Sequence, residues 1–447
     1  MTPTIFISVA AYREFDLVNT LRDCLAQADD PSRLRICLCW QRAPGESLDG
    51  LDRDPRLTVI DVPYEQSRGV CWARHQIQEH YAGETYSLQI DGHHRFAPCW
   101  DRRLIDMLEQ LRADGFPKPI LTGYAPAFDP SNDRARTQAV WGLGLDRFEP
   151  GGVVFMRPFV PRTPPTRPMP CRFWSAHFSF TVGGFNDEVR IDPHGYFHAE
   201  EIGTCVRAWT HGYDLFTPHE TLIWHEYSRK GRTCHWDDHS DWGVRHGRAV
   251  DRYRRQFGVD GTPLLDCAPY GFGTKRSVRE YERFAGIEFA TRGVLRSTID
   301  HEYPPDPLCT APEEEWREQL LTSHCTDVTI ERTRLELDDC HMWSVIANAE
   351  DGTELFREDY LSDRFAPILS SQHGDHVQFF IAFFSRRQPH TWTVWPHSLR
   401  RGWLDRVDGA WPRRTPSPAA DADPISGVTP ISQGGRNGSV GDSPAPR

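Results

Sequence analysis

Long apolar runs are scarce in this chain. No window approaches the roughly 18 apolar residues that a membrane span needs, and the most apolar late stretch, VQFFIAFF (377–384), is only strand length. No membrane span is expected. Positive charge is also short: 51 basic residues face 63 acidic ones, a net charge of −12. A nucleic-acid partner requires a concentrated basic face, and none is present. An anion can still be bound locally, at a helix N-terminus or through a metal. The twelve cysteines contain no Cys-x-x-Cys pair. The opening MTPTIFISVAAYRE has neither a basic n-region nor a cleavable apolar segment, so it reads directly as a first strand. Together these features predict reduced core thiols and a cytoplasmic protein. Apolar residues at 38% and 15 Trp are enough for a packed globular chain. A length of 447 residues exceeds one ordinary core and suggests two domains plus extras.

The first 110 residues alternate between two periods. TIFISVAAY (4–12), RLRICLCW (33–40), LTVIDV (57–62) and TYSLQID (85–91) read as strands. Between them, Leu17, Leu21, Cys24 and Ala28 recur at helical spacing, SRGVCWARHQIQEHY (67–81) reads as a helix, and Trp100, Leu104, Leu108 and Leu111 mark another. This alternation predicts an open α/β sheet with parallel crossovers. Residues 112–170, rich in Pro, Gly and Asp, read as irregular connection with short strands such as GGVVFM (151–156). HAEEIGTCVRAWTHG reads as a helix with Gly212 near its end, and DLFTPHETLIWHEYSR as strand, turn, strand. From about residue 326 the period becomes two, with a hairpin signal at Asp351-Gly352. A small all-β domain is expected over 326–400. Seven Pro, five Gly and no aromatic residue predict a disordered tail over 412–447.

The chemistry concentrates at QIDGHHRF (89–96), where a buried strand ends. Ligands of open α/β sheets sit beyond such carboxyl ends. In a strand, i and i+2 point the same way, so Asp91 and His93 can face one ion while His94 points away and is structural. A carboxylate and an imidazole with open positions suit Mn²⁺ or Mg²⁺, which can also take phosphate oxygens. The bland alternative is a polar loop leaving a strand. A further group, His225, His235, His239 and His246 among several aspartates, reads either as a zinc cluster or as a polar lid. In the lid reading, Lys230, Arg232 and His235 close over a diphosphate.

Two blocks then resemble a known family. SRGVCWARHQIQEHYAGETYSLQIDGHHRF is similar to the donor-binding stretch of nucleotide-sugar glycosyltransferases of the GT-A fold, in which a strand ends in Asp-x-Asp or Asp-x-His. GGFNDEVRIDPHGYFHAEEIGTCVRAWTHGYDLFTPHETLIWHEYSR, about 130 residues later, resembles the later segment of the same enzymes, with Glu200 and Glu201 opening a helix, then Trp209, Gly212, Pro218, His225 and Arg229. More narrowly, both resemble the GlcNAc-transferase family that includes the Skp1-hydroxyproline N-acetylglucosaminyltransferase and is related to the polypeptide N-acetylgalactosaminyltransferases.

The resemblance implies a GT-A catalytic domain over 1–310, a Rossmann-like mixed sheet. It also implies Mn²⁺ or Mg²⁺ as cofactor, UDP-GlcNAc as donor, and transfer to a hydroxyl, on a protein or glycan acceptor, with retention. It adds His225 to Asp91 and His93 as metal ligands. Asp91, Glu200 and Glu201 become the catalytic candidates, with one glutamate contacting donor hydroxyls or the acceptor. Arg74 is expected to bond the diphosphate, Arg68 to reach the uridine side, and Ser8, Ala10 and Tyr12, at the end of the first strand, to flank the nucleobase. Asp192, His194 and His198 would line the acceptor side. The competing readings are a non-catalytic carbohydrate- or protein-binding module on the same fold and a zinc hydrolase built on the 225–246 histidines.

Overall fold

The structure is a computed structural model that describes residues 3–133, 136–228, 231–305, 310–335, 339–361 and 375–412. Its centre is β1 (Ile5–Tyr12), which is apolar on both faces. Ile5, Ile7 and Val9 enter one core, whereas Phe6 enters a second with Cys37, Cys39, Ala73 and Ile77. A strand buried on both faces needs helices on both sides. α1 (Leu17–Gln27) and α3 (Trp100–Ala113) cover the first face, and α2 (Val70–Gln78) covers the second. β1 lies between β2 (Leu34–Arg42) and β4 (Tyr86–Asp91), parallel to both, and β3 (Leu57–Pro63) closes that edge.

Beyond β4 the sheet becomes mixed. Phe178–Val182 runs antiparallel to β4, followed by Pro119–Thr122, Asp214–Thr217 and Met169–Pro170. This is the Rossmann-like mixed sheet expected of a GT-A fold. The stretch read as irregular connection thus holds a sheet strand, Pro119–Thr122, whose four residues are too few to show a period. It also holds a hairpin, Gly142–Phe148 with Val154–Phe159. The expected strand–turn–strand after residue 213 separates in space: Asp214–Thr217 joins the large sheet, while Ile223–His225 leaves it to pair with His94–Phe96.

Two antiparallel sheets follow. Leu321–Glu331 pairs with His376–Ser385 and also with Gly293–Val294. Cys340–Asn348 lies between Glu354–Leu361 and Thr391–Ser398, and Gly352 at φ +81° makes the hairpin turn. Val328, Ile330, Phe379 and Ile381 of the first sheet meet Trp343, Val345 and Val394 of the second in one core. Of the expected tail, residues 413–447 lie outside the described residues. The described cysteines are free thiols, seven of them buried. Among the described residues no helix is long and apolar enough to cross a membrane.

Candidate active site

β4 ends at Asp91, beside Ala10 of β1. Residues 92–93 bend before His94–Phe96, so strand alternation is not what aligns Asp91 with His93. The bend does so, together with the pairing of Ile223–His225 against His94–Phe96, which sets His225 opposite His94. His93 Nε2 and His225 Nε2 face each other at 3.0 Å, and His225 Nε2 lies 3.6 Å from Asp91 Oδ2. His94 is fully buried; its Nδ1–H donates to the Asp91 carbonyl at 3.1 Å, and burial holds its pKa well down, so it stays neutral.

Two of the three ligand groups, His93 and Asp91, are fixed from behind. Glu14, just past β1, accepts from His93 Nδ1 at 2.8 Å. Burial raises the Glu14 pKa, but His93 and Arg232 more than offset it, so Glu14 is a carboxylate. The proton therefore sits on Nδ1 and the Nε2 lone pair faces the site. Gly92 makes this contact possible, because a Cβ there would lie 2.8 Å from Glu14 Cγ. Arg74 is buried; it donates to Asp91 Oδ1 at 2.6 Å and to Glu200 Oε2 at 2.5 Å. Burial pushes Asp91 up, yet Arg74 and the imidazoles hold it well below the usual carboxylate range. Glu200 stays raised by burial despite Arg74 and a hydrogen bond from the buried Cys71 thiol.

Arg74 therefore lies buried beside Asp91, bonded to two carboxylates. Ser8 is buried in the sheet below Ala10, Tyr12 is half-buried and Arg68 is exposed. Tyr12 donates to Asp238 at 2.7 Å and Arg13 donates to the same carboxylate at 2.8 Å, which fixes residues 235–239 over the end of β1. Arg232, on the same segment, donates to His93 Nε2 at 2.7 Å. Arg229 and Lys230 lie outside the described residues.

The zinc reading finds no such cage. His235 and His239 stack at 4.0 Å, but His235 Nδ1 is bonded to Tyr196 and His239 Nε2 to the Tyr64 carbonyl. Among the described residues, the one His/Cys/Asp/Glu group able to share an ion is Asp91, His93 and His225. Glu201 turns away from Glu200: Tyr124 donates to it at 2.8 Å and the Ala176 amide at 2.9 Å. Burial pushes its carboxyl up to about 7. Asp192 pairs with Arg252 and accepts from the His194 amide at 3.0 Å, the His194 side chain is exposed, and His198 pairs with Glu149.

Sequence reasoning missed Glu14, whose only signal was its place after β1, and His177, a histidine inside the apolar FWSAHFSF. The His177 ring packs 4.3 Å from that of His225. Its Nε2 accepts from the Ala125 amide at 3.1 Å, and burial lowers its pKa to about 4.

The donor set fits a hard divalent ion. Asp91, His93 and His225 each offer one ligand atom, all within 4.8 Å of one another. Neighbouring ligands about 2.1 Å from an octahedral ion stand about 3 Å apart, close to the separation of the two imidazole nitrogens. The mixed sheet thus carries this carboxylate–imidazole group at its carboxyl edge. The model of the family described as Glycosyltransferase (GlcNAc) matches residues 4–54 and 46–291, and the chain belongs to that family.

Among solved structures, the chain is similar to GalNAc-T7 with UDP, GalNAc and Mn²⁺ (14% identity, TM-score 0.45), over 63% of this chain and 56% of that one. It thus spans little more than half of that protein's length. It is also similar to S. aureus TarS 1-349 in complex with UDP-GlcNAc (11% identity, TM-score 0.35, 57% and 71% covered). A third is the mannosyltransferase PcManGT from Pyrobaculum calidifontis with GDP-Man and Mn²⁺ (12% identity, TM-score 0.31, 57% and 63% covered). No curated protein matches the chain.

Proposed function

We propose that the chain is a metal-dependent transferase that moves N-acetylglucosamine from UDP-GlcNAc to a hydroxyl on a protein, with retention. The observation that carries this reading is the convergence of Asp91, His93 and His225 at the carboxyl end of β4. An Mn²⁺ or Mg²⁺ ion held there would neutralise the charge that develops on the departing diphosphate. In the transfer, the C1–O bond to the diphosphate breaks and the acceptor oxygen bonds C1 on the same face. The acceptor's proton goes to the departing phosphate.

The chain's own groups prepare this step. Arg74 keeps Asp91 ionised and holds Glu200, which in this reading accepts from a donor-sugar or acceptor hydroxyl. Tyr12 and Ala10 line the nucleobase side under the 235–239 segment, and Arg232 turns from His93 to the diphosphate. Ser8 supports that side from below, and Arg68 reaches the uridine from solvent. Glu201 keeps the 175–177 turn in place. In this reading residues 1–310 are the catalytic unit, residues 326–400 an accessory β unit, and the free buried thiols suit a cytoplasmic setting. The narrower resemblance to the Skp1-hydroxyproline enzymes favours a protein acceptor.

The test is UDP-GlcNAc hydrolysis and transfer with Mn²⁺, beside a UDP-GalNAc control, for the wild type, Asp91→Ala and His225→Ala. Loss of turnover in both variants is expected. Wild-type turnover in both would end the site assignment.

A further inference from the structure

The outward face of the second C-terminal sheet carries a side-chain cluster that sugar transfer at Asp91 does not use. Strand register aligns Asp359, Ser344 and Trp395 in one row across this face, and His397 and Trp403 in the next. The alternate residues Trp343, Val345 and Val394 point into the core, so this row lies on the opposite face, where Asp359 is exposed, Trp395 half-buried, and Ser344 buried with its hydroxyl bonded to Arg357 and Asp359. The indoles of Trp395 and Trp403 lie 4.5 Å apart, and His397 meets Trp403 edge-on at 4.8 Å. Trp395 is pinned by its Nε1–H, which donates to the Leu404 carbonyl at 2.8 Å, while Trp403 is 41% exposed. Paired charges rim the rings: Arg357 with Asp359 at 3.1 Å and Arg406 with Asp408 at 3.0 Å.

We propose that this face binds a neutral, β-linked pyranose glycan of the glucose or N-acetylglucosamine configuration. In such sugars the ring substituents are equatorial, so each ring face presents axial C–H groups carrying slight positive charge. An indole face is negative, and a ring held rigid in advance stacks on them at little entropic cost. The edge of the sugar carries hydroxyls that both donate and accept. The rim supplies both complements, guanidinium donors and carboxylate acceptors, with part of each side chain in solvent. The charges cancel within the rim, which fits a neutral ligand and gives no attraction to phosphate. A protein partner of ordinary size would bury about 800 Å² on this side, far more than two indoles offer. The purpose of the site rests on the transferase reading, since it would hold the glycan of an acceptor, but its binding chemistry does not.

The experiment uses the full chain without donor or metal. Chitotriose and cellotriose are titrated by calorimetry and saturation-transfer NMR, with mannotriose as the axial-hydroxyl control. Chitotriose or cellotriose should bind, and mannotriose should bind more weakly. Trp403→Ala should weaken binding about tenfold, the scale of one aromatic contact, and Trp403→Phe should restore most of it. Asp91→Ala should leave binding unchanged, which separates this face from the catalytic site. Four outcomes would overturn the proposal: no binding of either β-linked sugar, equal binding by Trp403→Ala, loss of binding on Asp91→Ala, or a wild-type dimer that Trp403→Ala converts to monomer. Because no turnover is read, a failed transferase assay would leave this result interpretable.

Discussion

Glu14 and His93 are joined by a 2.8 Å hydrogen bond from ring Nδ1 to a buried carboxylate, and the bond decides which nitrogen of His93 is free. A carboxylate behind a metal-binding imidazole fixes its tautomer and raises its basicity, and losing such a partner costs about 10–100-fold in metal affinity. Glu14→Ala is expected to weaken Mn²⁺ binding by that amount, measured by calorimetry with UDP present. Glu14→Gln, which can still accept from Nδ1 but carries no charge, should fall between. Equal Mn²⁺ affinity in Glu14→Ala and wild type would show that Glu14 is only a packing residue.

Arg232 predicts an effect of opposite sign. Its guanidinium donates to His93 Nε2, the lone pair that an ion would take. One lone pair cannot serve both, and a fixed cation nearby repels a second. Arg232→Ala should therefore bind Mn²⁺ about tenfold more tightly in the absence of nucleotide, the scale of one charged hydrogen bond. The same variant should transfer sugar more slowly, because it lacks the cation proposed to reach the diphosphate. Weaker nucleotide-free Mn²⁺ binding in Arg232→Ala would contradict the competition.

The contrast between these residues shows what was legible in the sequence. Asp91 and His93 could be read because they end an apolar strand, and strand ends of this sheet type face ligands. His225 was found only by resemblance, since its pairing across from His94 depends on a long crossover that leaves no local period. Glu14 was hidden for a similar reason. It follows an obvious strand, but nothing in the chain says that Gly92 lacks a Cβ so that Glu14 can reach His93. Arg74 was noticed through helical spacing, but its pairing with Glu200, 126 positions away, leaves no local signal. The strands β1 to β4 were readable because each carries at least one apolar face at period two, whereas Pro119–Thr122 was too short to separate from a loop.

Arg74 also gives a stability prediction. Removing one partner of a buried ion pair leaves uncompensated charge and costs about 3–5 kcal/mol. Arg74→Met strands both Asp91 and Glu200, so its thermal midpoint should fall clearly. Adding Glu200→Gln removes one stranded charge. The double variant should therefore be more stable than the two separate losses added together. Strict additivity in chemical denaturation would mean that Arg74 and Glu200 do not interact in solution.

Glu201 predicts a pH dependence. Burial pushes its carboxyl up to about 7, even though Tyr124 and the Ala176 amide donate to it. In the unfolded chain an ordinary glutamate releases its proton near pH 4.3. Between those two values the folded protein keeps a proton that the unfolded chain has lost. Rising pH therefore favours unfolding across this window, and the penalty is complete above about pH 7. At 1.36 kcal/mol for each pH unit of separation, the full effect is about 4 kcal/mol. Glu201→Gln cannot titrate, and its amide can still accept from Ala176 and donate to the Tyr124 hydroxyl. The difference in stability between Glu201→Gln and wild type should grow in favour of the variant from pH 4.5 to 7 and then level off. Other titrating groups contribute equally to both proteins and cancel in this difference. A difference that stays flat from pH 4 to 8 would show that Glu201 titrates in the folded protein as it does in the open chain.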